Sequence, residues 1–288
     1  MDLSIIMVNY ATYDLTRQAV ESVINSINAI DYEIIVVDNN SPDDSLQKLE
    51  DYFKEYECVK FVANEYNGGF AVANNSGCRQ AQGDYLLLLN SDIIIKGNAI
   101  NDCLTYLKEN DNIGVIGCKV SLPDGRLDKA CRRSFPTPTV SFYRLTGLSK
   151  IFPKSRRFNQ YNMSYLDDDG VYMVDSIVGA FMLLTRKLYD ECGGLSESYF
   201  MYGEDIELCY DVKQLGYDVC YYGKAEIIHY KGGSGSNKRL LYEFHKSMEI
   251  FYDKHYKKEN NTLVNLMVHA GIWALYYLKL LKLKLISH

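Results

Sequence analysis

LLLLNSDIII, residues 86–95, is an apolar run broken at its centre. Four leucines precede the break and three isoleucines follow it, a composition suited to a strand covered on both faces of a parallel sheet. Asn90, Ser91 and Asp92 do not suit such a strand, because burying a carboxylate without a partner costs on the order of several kcal/mol. The conflict disappears if the strand ends near Leu89 and delivers its polar residues to a ligand-facing rim, since open α/β sheets bind ligands at the carboxyl ends of their strands.

The same arrangement recurs upstream. Strand-like runs at 3–8, 33–37 and 59–62 each turn polar as they end, at Asn9 and Tyr10, then at 38–40, then at 64–69. Between the first two, Leu15, Ala19, Val20, Val23, Ile24 and Ile27 recur at helical spacing behind Thr12 or Asp14 as a cap, and 69–82 and 98–109 are further helices. Strands alternating with helices predict βαβ units and a mostly parallel sheet with right-handed crossovers. Any one polar strand end reads as a turn, because Asn, Asp and Gly are turn formers. Four on one rim point to a binding site.

Bulk properties narrow the function. With 288 residues, 47% of them hydrophobic, the chain can build one large or two small domains. A formal charge of −6 and a pI near 5.5 argue against a nucleic-acid partner, which demands a basic face. Eight cysteines without a C-x-x-C pair read as reduced, buried thiols of a cytosolic protein. MDLSIIMVNY, with Asp2 and a short apolar run, reads as a first strand rather than a signal peptide.

Beyond residue 120 the periodicity fades into a variable excursion containing Pro136, Pro138 and Pro153, a basic knot at Lys154, Arg156 and Arg157, and an acidic one at 167–169. Long excursions of this kind are uncommon unless functional. Order returns at 174–186, a strand pair or bent strand, followed by a short helix ending at Gly193 and Gly194. The next helix opens with Glu204 and Asp205 and carries an apolar stripe of Ile206, Cys209, Tyr210 and Leu215. Near the C-terminus, the apolar run between His269 and Lys279 is about half the roughly 20 residues that cross a bilayer, so a spanning helix is disfavoured. Lys279, Lys282 and Lys284 among leucines fit an interfacial amphipathic helix, and equally a helix packed on its own domain or a second subunit.

The rim offers carboxylates but neither a G-x-G-x-x-G fingerprint nor a Walker loop, and Asn67-Gly68-Gly69 at a helix start is only a weak anion cradle. A diphosphate bound here needs positive charge from elsewhere, and a divalent cation on Asp92 is the economical source; oxygen ligands suit Mg²⁺ or Mn²⁺. A nicotinamide-dependent oxidoreductase is excluded by the missing glycine fingerprint. A sugar nucleotidyltransferase ranks low because VNYATYD lacks a glycine- and arginine-rich loop after the first strand.

VNY (8–10), VVDNNSPDDS (36–45), NEYNGGFAVANNSG (64–77), LLLLNSD (86–92), VGAFMLLTR (178–186), GGLSESYFMYGEDIELCYDVKQLGY (193–217) and IIHYKGGS (227–234) resemble the rhamnosyltransferase-like branch of glycosyltransferase family 2. The resemblance implies a GT-A fold with a nucleotide-sugar-binding half over 1–120, the excursion over 121–175, an acceptor-binding and catalytic half over 176–235, and C-terminal helices over 236–288 in possible contact with a membrane. It also implies inverting transfer from a nucleotide sugar. Asn90-Ser91-Asp92 stands where the family has its D-x-D metal motif, with Asn90 in place of the first acid, so Asp92 and His229 are the implied ligands of a weakly held Mn²⁺ or Mg²⁺. Asp205 is the implied general base, its helix-start position favouring the carboxylate; Glu204 and Glu207 are rivals, and Glu204 could instead orient the acceptor.

By the same resemblance Asp38 reads the nucleobase or ribose, and Asn9 and Tyr10 line its pocket. Asn67, Gly69, Asn74, Asn90 and Ser91 lie near the nucleotide, Gly179 and Ala180 let the donor sugar approach, and Phe200 and Tyr202 stack on sugar faces. The implied donor is dTDP-L-rhamnose, with UDP-sugars second, and the acceptor a growing cell-surface glycan that could be lipid-linked. The implied location is the cytoplasm, at the inner face of the membrane. The missing acid at Asn90 motivates one alternative, a non-catalytic carbohydrate-binding or partner subunit of the same fold.

Overall fold

The computed structural model describes residues 1–231 and 238–286. The nucleotide-side half runs β1 (Leu3–Asn9), α1 (Tyr13–Ser26), β2 (Tyr32–Asp38), α2 (Ser45–Phe53), β3 (Val59–Ala63), α3 (Phe70–Gln80), β4 (Tyr85–Leu89), β5 (Ile93–Lys96), α4 (Ala99–Lys108) and β6 (Ile113–Ser121). The remainder runs β7 (Arg132–Arg133), α5 (Pro138–Leu145), α6 (Leu148–Ile151), β8 (Val171–Val174), β9 (Ser176–Ile177), β10 (Phe181–Thr185), α7 (Arg186–Glu191), α8 (Glu204–Gln214), β11 (Asp218–His229), α9 (Lys238–His255) and α10 (Thr262–Ile286).

Nine strands form one sheet in the order β3-β2-β1-β4-β10-β6-β11-β5, with β8 also paired to β11. The block β3-β2-β1-β4 is parallel, and β6 and β11 point the same way; β10, β5 and β8 are antiparallel to their neighbours. β1, β2 and β4 are apolar runs buried almost throughout, because helices cover both faces of the sheet. Their carboxyl ends place Asn9, Asp38 and Asn90 along one edge, as the LLLLNSDIII stretch predicts.

Three local expectations change. Residues 174–186 do not pair with one another: β10 enters the main sheet between β4 and β6, while β9 turns away to pair with β7. On α8 the buried side is Leu208, Cys209 and Val212 together with Glu204, Asp205 and Glu207, whereas Leu215 is exposed. Asp205 and Glu207 face inward there because cations from other segments meet them, Arg133 at the first and Lys254 at the second. Thr12 does sit before α1, but its hydroxyl donates to Asn9 Oδ1 instead of capping the helix.

Glu207 shows what those inward acids do. It is fully buried, accepts from Tyr199 Oη at 3.0 Å, and contacts His255 Nε2 at 2.9 Å and Lys254 Nζ, so it clamps α8 to α9. Both carboxylate oxygens of Glu207 are thus engaged in holding the fold together. Replacing it with Ala strands these partners, and urea unfolding should show a loss of about 3–5 kcal/mol.

α10 also departs from expectation. It is one continuous helix of 25 residues, and 262–283 is long and apolar enough to cross a membrane. Polar side chains interrupting its apolar run find partners on α9: Asn265 with Tyr252 at 2.5 Å, and His269 Nδ1 and Trp273 Nε1 with Glu249 at 3.1 and 3.0 Å. Within the 227–234 stretch, Gly232, Gly233 and Ser234 lie outside the described residues, as does the boundary at 235.

Candidate active site

At the end of β4, Asn90 N–H donates to Ala180 O at 3.2 Å, which ties the polar triplet to the loop before β10. Asp92 and His229 are both buried, and Asp92 Oδ1 lies 3.0 Å from His229 Nε2. Antiparallel pairing of β5 with β11 makes this meeting, since Ile93 stands opposite His229. Asn90 Nδ2 lies 3.4 Å from the same ring nitrogen, and Ser91 is part-exposed beside it.

Across the imidazole, Nδ1 faces Asp128 Oδ2 at 3.9 Å, and Lys231 Nζ reaches that oxygen at 2.8 Å. Burial opposes charge on His229, but the flanking carboxylates of Asp128 and Asp92 push its pKa up to about 9. Burial likewise opposes charge on Asp128, yet His229 and Lys231 hold its carboxyl well below the usual range. Among the described residues no cluster of three or more His, Cys, Asp or Glu side chains could hold a metal. The donors present suit a cation all the same: an imidazole nitrogen and a carboxylate oxygen 3.0 Å apart match adjacent ligands at about 2.1 Å from one ion. His229 Nδ1 has no hydrogen-bond partner, and Asp128 beside it is positioned to fix the ring.

Asp205 is tied to the same 179–180 segment. Its Oδ2 accepts from Arg133 Nη2 at 2.7 Å and Gly179 N–H at 3.1 Å, and Oδ1 accepts from Ile206 N–H at 2.8 Å at the start of α8. Arg133 is itself buried, donates also to Ile177 O at 2.6 Å, and keeps a buried Nε without a partner. Glu204 next door is buried with Oε2 unpaired; burial first, and the Asp205 charge second, push its pKa up to about 8. Two adjacent carboxyls thus occupy opposite environments, one ion-paired and one favouring its proton.

The nucleotide-side residues fall into two layers. Asp38 is held by Asn9 Nδ2 at 2.7 Å and by Ser41 N–H and Oγ at 2.9 and 2.5 Å. Asn9 is fully buried, its amide spent on Asp38, Ser41, Ser45, Thr12 and Thr16, so it supports Asp38 rather than lining an open pocket. Tyr10 is exposed. Asn39 joins Asn64, Asn67 and Gly69 O, while Asn67 Oδ1 accepts from Gly69 N–H.

Gly69 has φ 91° and its missing Cβ would stand 2.2 Å from Phe200 O, so only glycine lets the 200 loop dock on α3. Asn74 bonds back to Phe70 O and leaves a buried Oδ1 without a partner. Phe200 lies under the Arg239 guanidinium at 4.0 Å, and Tyr202, at φ 70°, is exposed with its ring 5.7 Å from Phe244. A cavity of about 300 Å³ lined in part by Tyr85, Lys108 and Thr185 lies at the amino end of β4, away from this rim.

The model of glycosyl transferase family 2 matches residues 4–191, well over half the chain. The chain belongs to glycosyltransferase family 2. Among curated relatives, the transferase is 30% identical over 241 residues to rhamnosyltransferase WbbL of Escherichia coli K12, covering 78% of this chain and 82% of that one. It is 25% identical to the low-salt glycan biosynthesis hexosyltransferase Agl10 of Haloferax volcanii, covering 79% of this chain and 67% of that one. It spans only 25% and 16% of two longer relatives. The mannosyltransferase PcManGT of Pyrobaculum calidifontis, solved with GDP-Man and Mn²⁺, shares the transferase's fold at a TM-score of 0.64 and 14% identity, covering 94% of this chain and 69% of that one.

Asn39, Asp128 and Arg133 escaped the sequence reading. Asn39 sits in a stretch already flagged, whereas Asp128 reads as a turn acid and Arg133 as part of an unpatterned segment. No local signal marks either, because each acts through a partner 101 or 72 positions away, His229 and Asp205.

Proposed function

We propose that this chain moves a sugar with inversion from a nucleotide donor onto a growing cell-surface glycan, with dTDP-L-rhamnose as first-choice donor and a lipid-linked glycan as acceptor. The observation that carries the reading is that one segment, 179–180, is tied both to Asp205, through Gly179 N–H, and to the Asn90–Asp92 triplet, through Ala180 O and Asn90 N–H, with Asp92 in turn meeting His229. Inverting displacement needs a base on one face of the sugar and a departing nucleotide on the other. Asp205 Oδ1, free of Arg133, accepts the acceptor hydroxyl's proton, while Oδ2 stays locked by the guanidinium and Gly179 N–H. Asp92 and His229 would hold a divalent cation, which offsets charge building on the leaving diphosphate.

A cation held by these two protein ligands would leave room for the donor diphosphate, so metal and nucleotide are expected to bind together. The similarity to WbbL supports rhamnose; a UDP-sugar is the second choice. The Mn²⁺ complex of PcManGT supports the cation. A cytoplasmic site at the inner membrane face follows from a nucleotide donor and a lipid-linked acceptor. Thermal-shift measurements with dTDP, UDP and GDP, each with and without Mn²⁺, test the reading. A nucleotide that stabilises only with Mn²⁺ is expected. Equal stabilisation without metal would remove the cation, and no response together with no turnover of any donor would favour a non-catalytic subunit.

A further inference from the structure

Three cations around the segments that carry Asp205 have no task in the catalytic reading. Lys279 of α10 stands 5.1 Å from the Phe244 ring of α9, and that ring meets Tyr202 at 5.7 Å. Arg239, in the first turn of α9, lies 4.0 Å over Phe200. Phe200 and Tyr202 belong to the turn that leads into Glu204 and Asp205, and α9 lies directly on it: a Cβ on Gly203 would stand 3.2 Å from Ser247 Cβ. The third cation arrives through the excursion. Arg144 of α5 lies 4.3 Å over the Tyr161 ring, and Tyr161 O accepts from Ser134 N–H at 3.0 Å, next to the Arg133 that holds Asp205.

All three side chains reach solvent, and among the described residues none has a carboxylate within ion-pair distance. Each rests on an aromatic ring instead, which attracts a cation without neutralising it. Sequence neighbours cannot supply the missing charge for Arg144 or Lys279, because 138–166 and 262–288 contain no acid. Burial first, and the Arg144 charge second, lower the Lys279 pKa, the direction that two cations impose on each other when no carboxylate offsets them. In a chain of net charge −6, cations left unanswered on three separate elements beside one carboxylate point to an anionic ligand.

We infer that Arg144, Arg239 and Lys279 form an anion subsite for the acceptor, and that it takes a phosphate group which the acceptor carries near the hydroxyl to be glycosylated. The inference rests on the proposed role of Asp205 as base, since the acceptor must approach from the base's side. The donor diphosphate has its charge answered elsewhere, by the cation proposed for Asp92 and His229 on the β5–β11 pair. Phosphate is the fitting anion. Two guanidinium forks and an ammonium together match a multiply charged tetrahedral oxyanion, whereas a single carboxylate would use one fork only. Such a group reaches an acceptor in two ways, as the diphosphate that links a glycan to a lipid or as a phosphodiester within a polymer.

Calorimetric titration of the full chain with isopentenyl diphosphate and with diethyl phosphate, in metal-free buffer so that the donor site cannot hold a diphosphate through Mn²⁺, tests the subsite and separates the two sources. Binding of at least one probe is expected, weakened by salt. Tighter binding of isopentenyl diphosphate supports a subsite for a lipid diphosphate, and tighter binding of diethyl phosphate one for a polymer phosphodiester. Arg144→Gln with Lys279→Met should weaken that binding by about tenfold or more, while the melting temperature and the Mn²⁺-dependent stabilisation by nucleotide stay at the wild-type level. Wild-type probe binding by this double variant would overturn the subsite, as would failure of the wild type to bind either probe. Loss of nucleotide stabilisation in the double variant would assign the cations to the donor and overturn it too. Failure of the base reading shows separately, as an active Asp205→Asn protein.

Discussion

Asp205→Asn should lower glycosyl transfer by about 10²–10⁴-fold while donor affinity remains near wild type. The amide preserves the shape and the bond from Gly179 N–H but cannot take a hydroxyl proton. It also leaves Arg133, buried on all sides, without its counter-charge, so Asp205→Asn alone should lose stability as well. Pairing it with Arg133→Met removes the stranded cation and should restore part of the melting temperature without restoring turnover. Glu204→Gln is the companion variant: if Asp205 is the base, the Gln protein keeps most of its turnover. The opposite ranking, with Glu204→Gln dead and Asp205→Asn active, would transfer the base to Glu204.

Glu204 also sets a pH signature. Its carboxyl titrates near 4.5 in the unfolded chain and is pushed up to about 8 in the fold, by burial first and by Asp205 second. Between those values the folded protein holds a proton that the unfolded chain has released. The stabilising contribution is therefore complete below about 4.5 and lost as pH rises through about 8. Urea midpoints of the wild type should fall across that window, and the slope should be shallower in Glu204→Gln.

The parallel half of the fold is legible because its strands are continuous apolar runs that end in polar residues, as at Leu89 and Asn90, and periodicity reports such runs directly. The pairing of β5 with β11 is not legible, although it is what brings Asp92 to His229; register between segments more than a hundred residues apart leaves no local trace. The same limit hides Arg133, whose value depends on β7 meeting β9 beneath Asp205. On α8 the buried side departs from the apolar stripe because Glu207 is buried, an acid that Tyr199, Lys254 and His255, distant in sequence from one another, make tolerable there. Asn9 stands on the predicted rim with its amide turned into the supporting turn, a choice the sequence leaves open because a strand-end Asn can face either a ligand or its own turn.

Asp92→Ala should abolish transfer and, in the same protein, abolish Mn²⁺-dependent stabilisation by nucleotide. The fold should survive, because the backbone tie from Tyr230 N–H to Asp92 O at 2.9 Å does not involve the side chain. The expected loss is large for a specific reason. Position 90 carries an amide, so no second carboxylate stands in that triplet to compensate, and His229 alone would hold a hard cation poorly. The converse variant separates this account from a merely structural Asp92: Asn90→Asp puts a carboxylate where an amide now lies 3.4 Å from His229 Nε2 and should strengthen Mn²⁺ binding about tenfold or more. Asp128→Asn should weaken metal binding about 10–100-fold without removing a ligand, since it acts only by orienting the ring. An Asp92→Ala protein that still gains stability from nucleotide only when Mn²⁺ is present would refute the proposed metal site, whatever its turnover.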